Sequence, residues 1–285
     1  MEGEQQVYMH QPPRYMLAGH ADLVCKHKKS IYGLKQAPKY WYKVLHKFFT
    51  NLGFVRCSKE YCIYVQKVGE SWIIVVVYVD DLTIMSKDIE LISKLKQDLS
   101  GRFKMKDLED IHYILKMEVR RNRKNRTMTI SQHKYIDELL DKFNMGHCTA
   151  VTTPQLKEVE LVAETKMSPQ EIAAQKFDFR GLVGSLQYLV RGTRPDIANA
   201  VRELSKFLSS YNKTHWEAAR RVLKYLKGTS TYGLLLHGNS RMVTYEVYTD
   251  ASFACQPKQR KSVVYGTTLM AGMEPLGLGK LPPLF

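Results

Sequence analysis

The chain has 285 residues, 44% of them apolar, which is enough to fill one large or two ordinary cores and excludes a disordered or collagen-like protein. Lysine and arginine number 43 against 28 acidic residues, and the resulting net charge of +15 is spread along the chain rather than confined to a tail. That balance favours a polyanionic partner, nucleic acid first, although a basic protein with no particular partner stays open on charge alone. 

Five cysteines without CxxC pairing argue for reduced thiols, and nine histidines without HExxH or zinc-finger spacing argue against a structural zinc. The opening residues show no basic segment followed by an apolar one, and the longest apolar run, Ile73 to Val79, is too short to cross a bilayer. A soluble, intracellular protein with no membrane partner is expected.

In chain order, the first clear element is a helix opening at Pro38, with apolar residues Trp41, Val44, Leu45, Phe48, Phe49 and Leu52 on one face and Gly53 closing it. Ile73 to Tyr78 is a β-branched run that turns at Val79-Asp80-Asp81 and resumes as Leu82 to Met85, a buried β-hairpin with acid at its tip. A helix over Ile89 to Leu99 follows, then a second hairpin from about His112 to Ser131 whose turn is expected to carry Arg120, Arg121, Arg123, Lys124 and Arg126. Ile136, Leu139, Leu140 and Phe143 mark a further helix. Thr152 to Thr165 is polar, carries Pro154 and reads as a linker.

Beyond the linker the chain is largely helical. Ser168-Pro169-Gln170-Glu171 and Thr214-His215-Trp216-Glu217 both have the form of a capping box. Ile197, Ala200, Val201, Leu204 and Leu208 mark a helix face between them. Alternation over Thr244 to Phe253 predicts a strand carrying Asp250, and the tail from Ala271 shows no period and is expected to be poorly ordered.

Chemistry concentrates at the first hairpin. Two adjacent aspartates at a strand end lose hydration and repel each other unless a cation sits there. Oxygen ligands beside a basic surface suit Mg²⁺ held jointly with substrate phosphates. The local pattern alone leaves open a plain Asp-Asp turn in solvent, since aspartate favours turns.

Tyr78-Val79-Asp80-Asp81 resembles the YxDD hairpin of reverse transcriptases, and it stands downstream of Ser30-Ile31-Tyr32-Gly33-Leu34-Lys35-Gln36-Ala37-Pro38, which with Trp41 and Tyr42 is similar to a motif of Ty1/copia-type retrotransposon polymerases. The resemblance continues through Lys104-Met105-Lys106-Asp107-Leu108 with His112-Tyr113, Gly184-Ser185-Leu186, Thr193-Arg194-Pro195-Asp196-Ile197-Ala198, His215-Trp216 and Leu226-Lys227-Gly228-Thr229. Tyr248-Thr249-Asp250-Ala251-Ser252 and Arg260-Lys261-Ser262 resemble the start of that family's ribonuclease H domain. The likeness covers about residues 7 to 268.

The resemblance implies an α+β fold: a truncated polymerase palm with an antiparallel sheet and flanking helices (1–150, with a primer-grip-like hairpin), a helical thumb and connection (151–240), and a truncated ribonuclease H-like start with a tail (241–285). It implies RNA-directed DNA polymerase activity on an RNA and DNA primer-template with deoxynucleotides and Mg²⁺. Asp80 and Asp81 would be catalytic metal ligands, and Tyr78, Lys35 and Gln36 would face nucleotide or template. Lys35 as a solvated loop residue and Gln36 as a turn-capping amide remain open. Gly33 and Pro38 are expected to shape the turn, and Trp41 to be a core residue. Arg120, Arg121, Arg123, Lys124 and Arg126 would hold nucleic-acid backbone or form a solvated basic loop. Asp250 would be a ribonuclease H remnant.

Departures from the family shape the expected activity. The other essential palm aspartate lies in a segment ahead of the one that resembles Glu4 to Pro12, Asp22 stands in no matching context, and the later acids of the ribonuclease H site have no counterpart. Glu109 and Lys116 replace family glycines, so strain is expected at both. The expectation is an impaired polymerase unless another polypeptide complements it. The alternatives are a non-catalytic nucleic-acid-binding remnant, or an unstable pseudogene-like product with an exposed sheet edge.

Overall fold

A computed structural model of the chain describes residues 7–20, 22–28, 31, 33–156, 161–162, 167–174, 176–238, 245–252, 263–270 and 273–276, the last three as backbone strands. The chain divides into two compact units, residues 1–109 and 110–285. In the first unit, β1 (Tyr8–His10) and β2 (Val24–Lys26) pair as an antiparallel ribbon. Helix α1 (Ala37–Asn51) begins where expected, with Pro38 in its first turn and Gly53 at φ +86° just beyond its end. β3 (Val55–Arg56), β4 (Ile63–Val68), β5 (Ser71–Tyr78) and β6 (Asp81–Ser86) form an antiparallel sheet in that order. Helix α2 (Ile89–Arg102) starts at Asp88, whose carboxylate accepts the Glu90 amide at 2.9 Å.

Leu45 and Phe49 of α1, Leu95 and Leu99 of α2, and Phe54, Tyr64, Ile73 and Val75 form one core. The apolar run of β5 was expected to be buried throughout. Only Ile73 and Val75 are fully buried, and Trp72 on the opposite face is 54% exposed. The reason is the pleat: alternate residues face opposite sides, and an antiparallel sheet needs cover on one side only.

In the second unit, β7 (Tyr113–Ile114), β8 (Met117–Asn122) and β9 (Thr127–Ser131) lead into α3 (His133–Lys142). Then come α4 (Pro169–Ala173), α5 (Phe179–Gly192), a 3₁₀ turn at Pro195–Ile197, α6 (Ala198–Ser205), α7 (Lys213–Gly228) and β10 (Gly233–His237). β11 (Tyr245–Ser252) and β12 (Val263–Met270) pair with each other, and β13 (Met273–Leu276) joins a sheet of order β13-β10-β9-β8-β7. β13 corrects the expectation of a poorly ordered tail: its backbone finds partners on Gly233–Leu236. The rest of the tail, like Ser30, Tyr32, Arg260, Lys261, Ser262 and parts of the expected linker (157–160 and 163–166), lies outside the described residues.

The core of this unit is apolar side chains of α3, α5, α6 and α7, including Ile136, Leu186, Val201 and Leu223. The Ser168–Glu171 capping box is present. The second is shifted: Asn212, not Thr214, caps α7, accepting the Thr214 and His215 amides at 2.9 and 3.3 Å. Asparagine is the stronger cap, and starting there lets His215 complete the box from within the helix. Leu208 lies beyond the end of α6 but still packs against the core.

The Thr193–Ala198 string has a structural purpose. Arg194 is fully buried, and its guanidinium forks onto Asp196 at 2.9 and 2.7 Å while also donating to the Thr229 carbonyl at 2.9 Å. The Tyr225 hydroxyl donates to the same Asp196 carboxylate at 2.9 Å. A buried cation is tolerable because each guanidinium nitrogen has an acceptor.

Candidate active site

The β5–β6 hairpin closes at the Tyr78↔Asp81 pair, leaving Val79 and Asp80 as a two-residue loop. Val79 lies at φ +53°, the positive value that the favoured hairpin turns need at their first loop position. For a β-branched residue this conformation is strained, at about 1–3 kcal/mol, and it is seen where the surroundings hold it. Here the holding group is Trp41 of α1, whose indole N–H donates to the Val79 carbonyl at 2.8 Å. The Trp41 ring packs edge-on against Phe103 at 5.4 Å.

Trp41 is therefore more than the core residue expected of it: the helix uses it to fix the loop that presents the two acids. The clue in the sequence is that a half-buried tryptophan needs an acceptor for its N–H. Asp80, Asp81 and Tyr78 are exposed, and neither acid makes an ion pair to a described residue.

Among the described residues, no three or more His, Cys, Asp or Glu side chains come together to hold a metal ion. The tip thus offers two exposed carboxylates. Mg²⁺ wants six oxygens and ordinarily keeps waters while sharing substrate phosphates, so the pair fits a nucleotide-bound Mg²⁺ and does not form a closed cage.

Lys35 and Gln36 stand in the turn that starts α1, the helix that also carries Trp41. Lys35 is exposed, and the Gln36 side chain makes no capping hydrogen bond although Gln36 occupies the N-cap position. Gly33, at φ +93°, and Pro38, in the first helical turn, shape this segment as expected.

In the second hairpin only part of the basic cluster lies in the turn. Arg120 and Arg121 are on β8 and, as neighbours in a strand, face opposite sides, while Arg123, Lys124 and Arg126 follow in the turn. All five are exposed. Arg120 reaches Glu118 at 3.2 Å and Arg123 reaches Asp110 at 2.9 Å. The Arg123 guanidinium beside Asp110 holds that carboxyl below its usual range. Arg121, Lys124 and Arg126 form no ion pair with a described residue.

Both positions where a glycine was expected are at positive φ: Glu109 at +62° and Lys116 at +56°. Leu115 and Lys116 are the two-residue loop between Ile114 and Met117, with Leu115 at +49°. The loop is held from outside, by the Tyr188 hydroxyl donating to the Leu115 carbonyl, by the Lys116–Glu138 ion pair at 3.0 Å and by the Lys116 ammonium over the Tyr135 ring at 5.1 Å. Asp250 sits on β11 opposite Tyr265 of β12.

Residues 1–157 match the family model described as reverse transcriptase (RNA-dependent DNA polymerase). The chain is 40% identical over 91% of its length to the retrovirus-related Pol polyprotein from transposon TNT 1-94 of Nicotiana tabacum, and 38% identical over 87% to that from transposon RE1 of Arabidopsis thaliana. It spans only 20% and 16% of those two relatives. It is also 29% identical, over 94% of its length, to a putative transposon Ty5-1 protein of Saccharomyces cerevisiae, of which it covers 85%. No solved structure matches it.

Proposed function

This chain belongs to the reverse transcriptase (RNA-dependent DNA polymerase) family of Ty1/copia-type retrotransposon Pol polyproteins, and we propose that it is the metal-and-nucleotide end of such a polymerase, working on an RNA and DNA primer-template. The observation that carries the reading is the strained hairpin tip, fixed by Trp41, that presents Asp80 and Asp81 to solvent. In this reading residues 1–150 are palm and primer-gripping hairpin, 151–240 thumb and connection, and 241–285 the start of a ribonuclease H-like domain in which Asp250 is a remnant.

Asp80 and Asp81 would hold a Mg²⁺ that arrives with the nucleotide. When bound, Mg²⁺ would supply charge neutralisation for the attack of a primer 3′-hydroxyl on the nucleotide's α-phosphate, with pyrophosphate as the leaving group. Tyr78 flanks the acids on the strand, and Lys35 and Gln36 offer a cation and an uncommitted amide for phosphate and base. Arg121, Lys124 and Arg126 are the cations of the second hairpin left available for nucleic-acid phosphates.

With two carboxylates at the tip and no cluster of three or more His, Cys, Asp or Glu side chains among the described residues, incorporation by this chain alone is expected to be weak. The same observation favours a second reading, a non-catalytic remnant that still binds nucleic acid. Primer extension on an RNA template with Mg²⁺ and deoxynucleotides, beside an Asp80→Asn/Asp81→Asn variant, separates them. Incorporation lost in the variant supports the polymerase reading. Binding without incorporation supports the remnant, and incorporation that survives in the variant overturns the assignment of the tip.

A further inference from the structure

A second feature stands apart from the hairpin tip. In the 110–285 unit, the end of α3, the segment between α4 and α5, and the start of α7 enclose an open groove of about 750 Å³. At its base the Phe177 and Trp216 rings stack at 5.1 Å and 19°, and Phe143 meets Trp216 edge-on at 6.0 Å. All three rings are half-buried and pack against the core of this unit, Phe177 also meeting Tyr211 at 6.0 Å, so each keeps part of its surface accessible at the groove. Lys142, Lys176 and Lys213 stand exposed around it, and none of them has an ion-pair partner among the described residues.

Two acids also line the groove, and both are engaged. Asp178 accepts the Gly181 amide at 2.8 Å as the cap of α5, and Glu217 pairs with Arg220 at 3.1 Å. Lys142 lies over the Phe143 ring at 5.1 Å, a contact that does not neutralise its charge, so the groove presents unneutralised positive charge beside partly exposed aromatic rings. Three lysines call for a ligand carrying several phosphates, and the stacked rings call for planar groups spaced along it. Unpaired nucleic acid has both, whereas in a duplex the base faces are already stacked on one another. The volume suits about one or two nucleotides at a time.

We propose that this groove is a binding site for single-stranded nucleic acid, in which a base stacks on the Phe177–Trp216 surface while Lys142, Lys176 and Lys213 hold the flanking phosphates. The inference is independent of the polymerase reading, since it needs neither metal nor the hairpin acids. 

The test is fluorescence anisotropy of a labelled oligo(dT) of about ten nucleotides with the full chain in chelator, where no metal-dependent step can contribute. Lys142→Glu/Lys176→Glu/Lys213→Glu changes only exposed side chains, and circular dichroism checks that it folds. It should bind about tenfold or more weakly, with a log–log salt slope shallower by about 2, from roughly 0.7 per lost phosphate contact. An abasic oligomer of the same length should bind the unaltered chain about tenfold more weakly than oligo(dT), for want of stacking. The control is Lys47→Glu/Lys67→Glu/Lys94→Glu, three exposed lysines of the first unit with no assigned role, which changes net charge equally elsewhere. Equal losses in both triple variants, no loss in the groove variant, or equal affinity for the abasic strand would each overturn the proposal.

Discussion

Replacing Trp41 by phenylalanine isolates one interaction at the hairpin tip. Phenylalanine keeps an aromatic ring against Phe103 but has no N–H to donate to the Val79 carbonyl, now 2.8 Å away. A neutral intramolecular hydrogen bond contributes about 0.5–1.5 kcal/mol net. The Val79 carbonyl sits on an exposed turn and can turn to water, so the loss belongs near the lower end, about 1 kcal/mol with the lost ring volume included. Trp41→Ala removes the packing as well and should cost about 2–3 kcal/mol, less than a fully buried tryptophan would. Urea unfolding followed by circular dichroism gives these differences, and hydrogen exchange at the Val79–Asp81 amides reports the loop itself. The expected result is a small global loss in Trp41→Phe with clearly faster exchange at the tip. Unchanged exchange, or a stability loss equal to that of Trp41→Ala, would refute the claim that the indole N–H fixes the loop.

Glu109→Gly should stabilise the chain by about 0.5–1 kcal/mol in urea unfolding, because the relief of an αL side-chain penalty of about 1–2 kcal/mol outweighs the added freedom of the unfolded chain; a loss of stability would count against strain at that position. Tyr225 gives an alkaline signature: burial first, then the Asp196 carboxylate, pushes its phenol up to about 12. Because the folded value is raised, its contribution is complete below the ordinary tyrosine value near 10 and is lost as pH climbs from there through about 12. Ultraviolet titration should therefore show a late-ionising phenol that disappears in Tyr225→Phe, and an unchanged titration would contradict the burial. Arg194→Ala strands Asp196 in the core and should cost about 3–5 kcal/mol, whereas Arg121→Ala on the surface should stay within about 0.5 kcal/mol. Thermal unfolding of the two variants checks the contrast, and similar midpoints would refute the buried-pair account.

The periodic elements were legible in the sequence because their cause is local. The apolar spacing from Trp41 to Leu52 and from Ile136 to Phe143 gave α1 and α3, and the β-branched run before Asp80 gave β5. Glu109 and Lys116 were legible as strained because a resemblance supplied the glycine to compare them with. What escaped notice depends on partners distant in the chain. Trp41 and Val79 are 38 positions apart, and although a tryptophan N–H calls for an acceptor, nothing near Trp41 identifies Val79 as that acceptor. Met273–Leu276 carries no strand pattern of its own and is a strand because Gly233–Leu236 offers it a backbone edge. The basic run at Arg120–Arg126 reads as one cluster, yet the pleat of β8 splits its first two members, and Glu118 and Asp110 engage two of the five.

The central claim is that the Val79–Asp80–Asp81 tip holds the metal, and metal-directed backbone cleavage tests it without requiring turnover. Fe²⁺ in place of Mg²⁺, with a deoxynucleoside triphosphate, ascorbate and peroxide, generates hydroxyl radicals where the ion sits. Scission clustered around Asp80 and Asp81, suppressed by excess Mg²⁺ and absent in Asp80→Asn/Asp81→Asn, is the predicted result. Scission elsewhere, or an identical pattern in the double variant, would contradict the claim.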